Sequence, residues 1–202
     1  YILIKEKKMG ISLEKGARVN LEKEAPGINK VSVGLGWDTR DTAGNDFDLD
    51  VSVFICDESG KTRGEQDFVY YNQLTALGGS ITHTGDNLTG EGEGDDEVVK
   101  ISLAEVTEKD ASIQKLAFVV TIHDAVQRNQ NFGQVENAFI RIVDESNNSE
   151  IVRYDLTEDY SVETAIIFGE MYRKDGSWRF SAVGAGFEGG LQSAATKYGL
   201  NV

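Results

Sequence analysis

The amino-acid sequence predicts a mainly β protein, a two-sheet β-sandwich with a few short helices. Three observations carry this expectation. Apolar and polar residues alternate in many short runs, the period of half-buried strands. Turn chemistry separates those runs, as in "DESGKT", "ESNNSE" and "KDGS". Glycine is frequent and proline occurs once, which suits turns and bulges and suits long helices poorly.

Taken in order, "VNLEKE" and "KVSVGLGWD" alternate, and the second places Val31, Val33, Leu35 and Trp37 on one face. "FDLDVSVFI" puts Phe47, Leu49, Val51 and Val53 on one face and Asp48, Asp50 and Ser52 on the other. "DFVYYN" is aromatic and β-prone. Strands are also expected over Val98–Leu103, Leu116–Ile122, Ala138–Val143, Ile151–Leu156, Ala165–Arg173 and Trp178–Val183. "KDGS" between the last two predicts a tight hairpin. Ser102–Lys109 opens with a capping-box spacing, Ser102 then Glu105, and predicts a short helix. A second helix is expected over Leu191–Tyr198, stopped by Gly199.

The chain is 202 residues long and 40% hydrophobic, enough for one domain with a core. No linker or repeat divides it. Residues 1–8 are expected to be an extension that is not native, with 9–202 a single domain starting at Met9. The formal net charge of −14 argues against nucleic acid and against anionic membrane surfaces, both of which demand lysine and arginine. One cysteine, Cys56, and two histidines exclude an internal disulfide and a typical zinc cluster. No apolar run approaches twenty residues, so no membrane insertion is expected, and the lone cysteine points to a reducing, cytoplasmic setting.

Two acidic stretches stand out. "WDTRDTAGNDFDLD" carries Asp38, Asp41, Asp46, Asp48 and Asp50. In an extended chain Asp46, Asp48 and Asp50 share a face and repel one another. "GDNLTGEGEGDDE", residues 85–97, carries Asp86, Glu91, Glu93, Asp95, Asp96 and Glu97 among glycines. Carboxylate, amide and carbonyl oxygens are hard ligands and suit Ca²⁺ better than Mg²⁺, because a glycine-rich loop can wrap an irregular shell. The EF-hand pattern fails: Val51 stands where its turn glycine belongs, and Leu88 and Gly90 occupy ligand positions of the second stretch. A site shared between loops is the alternative, against the bland reading of two solvated acidic loops.

The stretches "GISLEKGARVNLEKEAPGINKVSVGLGWDTR", "DFDLDVSVFI", "GDNLTGEGEGDDE", "FVVTIHDA" and "NFGQVENAFIRI" together resemble the TerD family of tellurite-resistance and stress proteins. The resemblance runs from about Met9 to the C-terminus and leaves the TerD and TerE types unseparated. It implies a β-sandwich, a cytoplasmic location, a role in stress and tellurite resistance, and Ca²⁺ bound at an acidic surface. The ligand set it implies is Asp46, Asp48, Asp86, Asn87, Glu93, Asp95, Asp96 and Glu97, with the Leu88 carbonyl and about two ions. Asp38 and Asp50 stand beside that set. Partners are expected among other stress and resistance proteins.

Other residues invite rival readings. Cys56 lies in an apolar strand and is expected to be buried and inert. His123-Asp124 follows an apolar strand; it fits a pair that fixes a loop, or an outer metal ligand, better than a general base, since no nucleophile motif accompanies it. His83, just before the second acidic stretch, is read as a loop residue, with support of a metal ligand as the alternative. "VQRNQNFGQVEN" reads as a polar, amide-rich loop with Phe132 near its centre, with a binding loop as the alternative. The expected function is a non-enzymatic calcium-binding module. The rivals are a metal-dependent enzyme and a Ca²⁺-assisted binder of small anions or nucleotides.

Overall fold

The alternating runs become two packed sheets in the computed structural model, which describes residues 10–39, 47–85, 94–157 and 160–201. The strands in chain order are β1 (Ile11–Leu13), β2 (Arg18–Asn20), β3 (Lys30–Thr39), β4 (Leu49–Cys56), β5 (Phe68–Val69), β6 (Thr75–Ala76), β7 (Ile81–His83), β8 (Glu97–Ser102), β9 (Lys115–Ile122), β10 (Val135–Asp144), β11 (Ser149–Asp155), β12 (Ala165–Lys174) and β13 (Ser177–Phe187). Short helices are α1 (Leu21–Glu24), α2 (Leu103–Lys109), α3 (Ala125–Arg128) and α4 (Gly190–Lys197). The first sheet runs β1-β11-β10-β3-β8-β7-β6 and the second β2-β13-β12-β9-β4-β5. Only the β1–β11 pair is parallel among the described strands.

Alternation decides which side chains meet. Val31, Val33, Leu35 and Trp37 of β3 face Leu49, Val51, Val53 and Ile55 of β4 and Leu116, Phe118 and Val120 of β9 in one core between the sheets. Burying such side chains stabilises by about 1.5–3 kcal/mol each before entropy is counted. The opposite face of β4 is not the solvated face its aspartates predict. Every residue of β4 is buried. Phe54 and Cys56 lie with Ala117, Val119 and Ile167 beneath Ala194, Ala195 and Tyr198 of α4 and its C-cap, a second core outside the second sheet. α4 covers what the sheet would otherwise leave wet. Burial also pushes the Cys56 thiol up to about 12, so it is not a nucleophile at neutral pH.

Local signals hold at several ends. Asp175 (φ 54°) and Gly176 (φ 77°) both adopt left-handed backbone in the β12–β13 hairpin, as a type I′ turn requires. α4 ends before Gly199 at φ 90°. Other ends differ from expectation. "VNLEKE" is strand only to Asn20, whose side chain accepts from Glu22 and Lys23 N–H and starts α1. The strand expected through Leu103 stops at Ser102, and the capping box there does not form. Asn29 replaces it from afar: its carbonyl and its Oδ1 accept from the N–H groups of Leu103 and Ala104.

Candidate metal site

The sheet register brings the flanks of both acidic stretches to one end of the sandwich. Thr39 at the end of β3 pairs with Val135, Glu97 at the start of β8 pairs with Leu35, and Leu49 at the start of β4 pairs with Ile122 at the end of β9. His83 ends β7 at the same place, opposite Val99.

Three consecutive carboxylates at this end have three different surroundings. Asp95 lies over β3, where Gly34 leaves room: a Cβ there would meet the Asp95 carboxylate at 2.3 Å. Arg141 of β10 grips it with two bonds, Nε to Oδ1 at 2.7 Å and Nη2 to Oδ2 at 3.0 Å, and reaches Glu150 at 3.3 Å. Gly36 leaves similar room further along β3, beneath the Phe139 ring and the Gly94 carbonyl. The Arg153 guanidinium caps that ring at 3.8 Å.

Asp96 turns along β3 instead. Its N–H donates to the Leu35 carbonyl at 2.7 Å, and its Oδ2 accepts from Trp37 N–H at 2.9 Å. Burial raises the Asp96 carboxyl above its ordinary range; the Trp37 N–H pulls it down, while the charges of Asp38 and Asp95 push it up again. Asp38 itself accepts from Asn137 Nδ2 at 2.7 Å.

Glu97 points inward, 1% exposed. Its Oε2 accepts from Val51 N–H at 2.7 Å and lies 3.4 Å from Nε2 of His83, which is equally buried. Gly85 N–H donates to His83 Nδ1 at 3.1 Å, so Nε2 is the nitrogen that carries a proton toward Glu97. The loop reading of His83 is thus corrected: it ends a strand, in step with Ile81 on the core face.

Across the end, on the outside of the second sheet, lie Asp48, Asp50, His123 and Asp124. His123 N–H donates to the Asp48 carbonyl at 2.8 Å. Its ring sits 3.7 Å from Asp50 and 3.5 Å from Asp124, and packs edge-on to Tyr71. Burial raises the Tyr71 hydroxyl above its ordinary range, and the charges of Asp50, Tyr70, Asp124 and Asp48 push it further.

Of the expected ligands, Asp48, Asp95, Asp96 and Glu97 fall among the described residues; Asp46, Asp86, Asn87, Leu88 and Glu93 lie outside them. Among the described residues no three His, Cys, Asp or Glu side chains are placed to hold a metal ion. The donors present are nevertheless hard oxygens, and Asp96 is a half-buried carboxylate crowded by like charge, an environment that a dication would relieve. The segment "VQRNQNFGQVEN" is more ordered than a loop reading implies. Phe132 is buried, and Asn131 and Gln134 cap each other's backbone reciprocally. Sequence reasoning missed Arg141, Gly34 and Gly36; the "GLG" inside an otherwise apolar strand was the available signal for a close approach.

Comparison with known proteins agrees with this architecture. The TerD domain model matches residues 9–198. General stress protein 16U of Bacillus subtilis is 59% identical over 96% of this chain and 100% of its own length. Tellurium resistance protein TerD of Serratia marcescens is 56% identical over 96% of this chain and 99% of its own. The crystal structure of a Streptomyces coelicolor homologue of telluride resistance protein (TerD) superposes with a TM-score of 0.68 at 21% identity, covering 87% of this chain and 100% of that one.

Proposed function

This chain belongs to the TerD domain family, and from that premise we propose that it is a non-enzymatic Ca²⁺-binding module of the stress-response and tellurite-resistance type. One observation carries the reading. The fold ties the two acidic stretches to each other: Asp96 accepts from Trp37 N–H at the start of the first stretch, and Glu97 from Val51 N–H just beyond its end. Carboxylates that the sequence keeps 59 and 46 residues from these donors thereby share one end of the molecule.

In this reading Asp46, Asp48, Asp86, Asn87, the Leu88 carbonyl, Glu93 and Asp96 hold the cations, with Asp38 alongside. Asp95 and Glu97 belong to the same set, and the oxygens that Arg141 and Val51 engage anchor the second stretch. Bound Ca²⁺ supplies positive charge that offsets carboxylate repulsion. The loops so ordered present a surface for other stress or resistance proteins in the cytoplasm. His123, flanked by Asp50 and Asp124, fixes the turn after β9 and is given no catalytic task.

The experiment is calorimetric titration of chelator-treated protein with Ca²⁺ and then Mg²⁺. Saturable, Ca²⁺-selective binding with a near-integer stoichiometry, weakened in Asp48→Ala, is expected. No heat and no change in melting temperature would reject the metal site. Metal-dependent turnover on a panel of phosphoesters would reject the non-enzymatic reading.

A further inference from the structure

Among the described residues most arginines of this acidic chain are engaged. Arg63 pairs with Asp67 and Asp110, Arg141 with Asp95 and Glu150, Arg153 with Asp155, and Arg179 with Asp175. Arg128 is also engaged. Among the described residues only Arg18 and Arg173 are arginines without an ion pair or side-chain hydrogen bond, and both line the same groove.

That groove, about 440 Å³, lies on the outer face of the second sheet. Lys115, Tyr172 and Ser181 contribute to its floor, and the turn after β4, with Ser59 and Gly60, contributes to its rim. It sits at the far end of β9 from Asp48 and His123: Lys115 begins that strand and Ile122 ends it, about 23 Å away at strand rise. α4 covers the middle of this face and leaves the groove open.

Carboxylates also line it, but most are committed. Both the N–H and the hydroxyl of Ser59 donate to Asp57 Oδ1. Glu170 pairs with Lys115 at 3.0 Å. Glu58 has no described partner and Asp57 keeps its charge, so the two unpaired guanidinium groups offset two carboxylates and offer the free N–H donors of the groove. A second groove shares Arg173 but adds Glu22 and Glu108 and no other cation, so the first is the better seat for negative charge.

We propose that this groove binds a small phosphate-class oxyanion, free or as a monoester, with Arg18 and Arg173 as its charged clamps. Planar guanidinium forks match the spacing of oxyanion oxygens. The hydroxyls of Tyr172 and Ser181 supply further donors. The volume is within the ordinary range for small-molecule sites. This site is separate from the acidic end and does not depend on Ca²⁺ binding there.

The test is an NMR titration of metal-free full-length chain at low ionic strength, with inorganic phosphate in one arm and phenyl phosphate in the other. Saturable shifts at the amides of Ser59, Gly60, Gln114 and Arg173 are expected. Arg18→Gln and Arg173→Gln should each weaken binding by about tenfold, the worth of one charge-assisted hydrogen bond. Lys100→Gln, on the other sheet, should not. Tighter binding of phenyl phosphate identifies an ester, and equal binding identifies the free ion; both support the site. Absent saturation, shifts confined to the acidic end, or equal weakening by Lys100→Gln would overturn it. Arg18 is exposed and Arg173 half-buried, and a variant's unaltered spectrum outside the groove certifies its fold.

Discussion

The backbone N–H of Val51 in the second sheet donates to Glu97 Oε2 of the first at 2.7 Å, so one buried carboxylate bridges the sandwich where the acidic stretches converge. β5 pairs with β4 only at Val53 and Phe54, which leaves the Val51 donor without a strand partner on that side. Glu97 fills the place of the missing strand, and His83 adjoins the same oxygen.

Glu97→Ala should therefore be costly. It strands the Val51 N–H in the core and removes the neighbour of His83. Loss of one partner of a buried charged hydrogen bond costs about 2–4 kcal/mol. Urea unfolding in the presence of chelator measures it. A loss below about 0.5 kcal/mol, the size of an ordinary surface change, would mean that Glu97 is no inter-sheet strut.

Gly34→Ala tests the platform under the second acidic stretch. The new methyl would overlap the Asp95 carboxylate at 2.3 Å and force it from Arg141. Destabilisation of about 1–3 kcal/mol is expected from the overlap. Ca²⁺ affinity should fall in the same variant and in Arg141→Gln, which releases Asp95 without any clash. Unchanged affinity in both would show that the Asp95 anchor does not shape the site.

Asp96→Asn separates the two roles of a crowded carboxylate. Without metal, it removes a charge that burial, Asp38 and Asp95 all disfavour, so the melting temperature in chelator should rise. With Ca²⁺ present, the stabilisation by metal should shrink. Thermal scans of both proteins with and without Ca²⁺ read the two effects together. A melting temperature lower than wild type in chelator would contradict the crowding argument.

Asp110 gives a pH signature away from the acidic end. Hydrogen bonds from Ser112 and from Arg63 lower its carboxyl to about 2. A depressed carboxyl contributes stability above its ordinary value of 3.8, and the contribution is lost as pH falls through about 2. Asp110→Asn should be less stable than wild type at neutral pH, with the difference fading as pH falls through that value. A stability difference that persists undiminished below it would break the linkage.

Much of the fold was legible in the sequence. The β3, β4 and β13 runs declare themselves by a period of two, β9 and β12 by continuous apolar runs, and "KDGS" by two residues able to take left-handed backbone. The burial of Trp37 and Cys56 followed from the strand runs that hold them. The capping box at Ser102 did not, because Asn29 reaches the same helix start from a distance. Nor did the buried outer face of β4, because no local pattern reveals that α4 returns to cover it.

What the sequence by itself determined is the inventory: alternating strands, tight turns, a closing helix, and two acidic stretches rich in hard oxygen donors. These are local properties, set by side-chain direction, backbone freedom and charge over a few residues. Only the tertiary structure decided that Asp95 faces Arg141, Asp96 faces Trp37 and Glu97 enters the core beside His83. Neighbours in the chain, these three carboxylates separate because successive residues project to different sides, and the partner on each side is chosen by strand order and register across tens of residues.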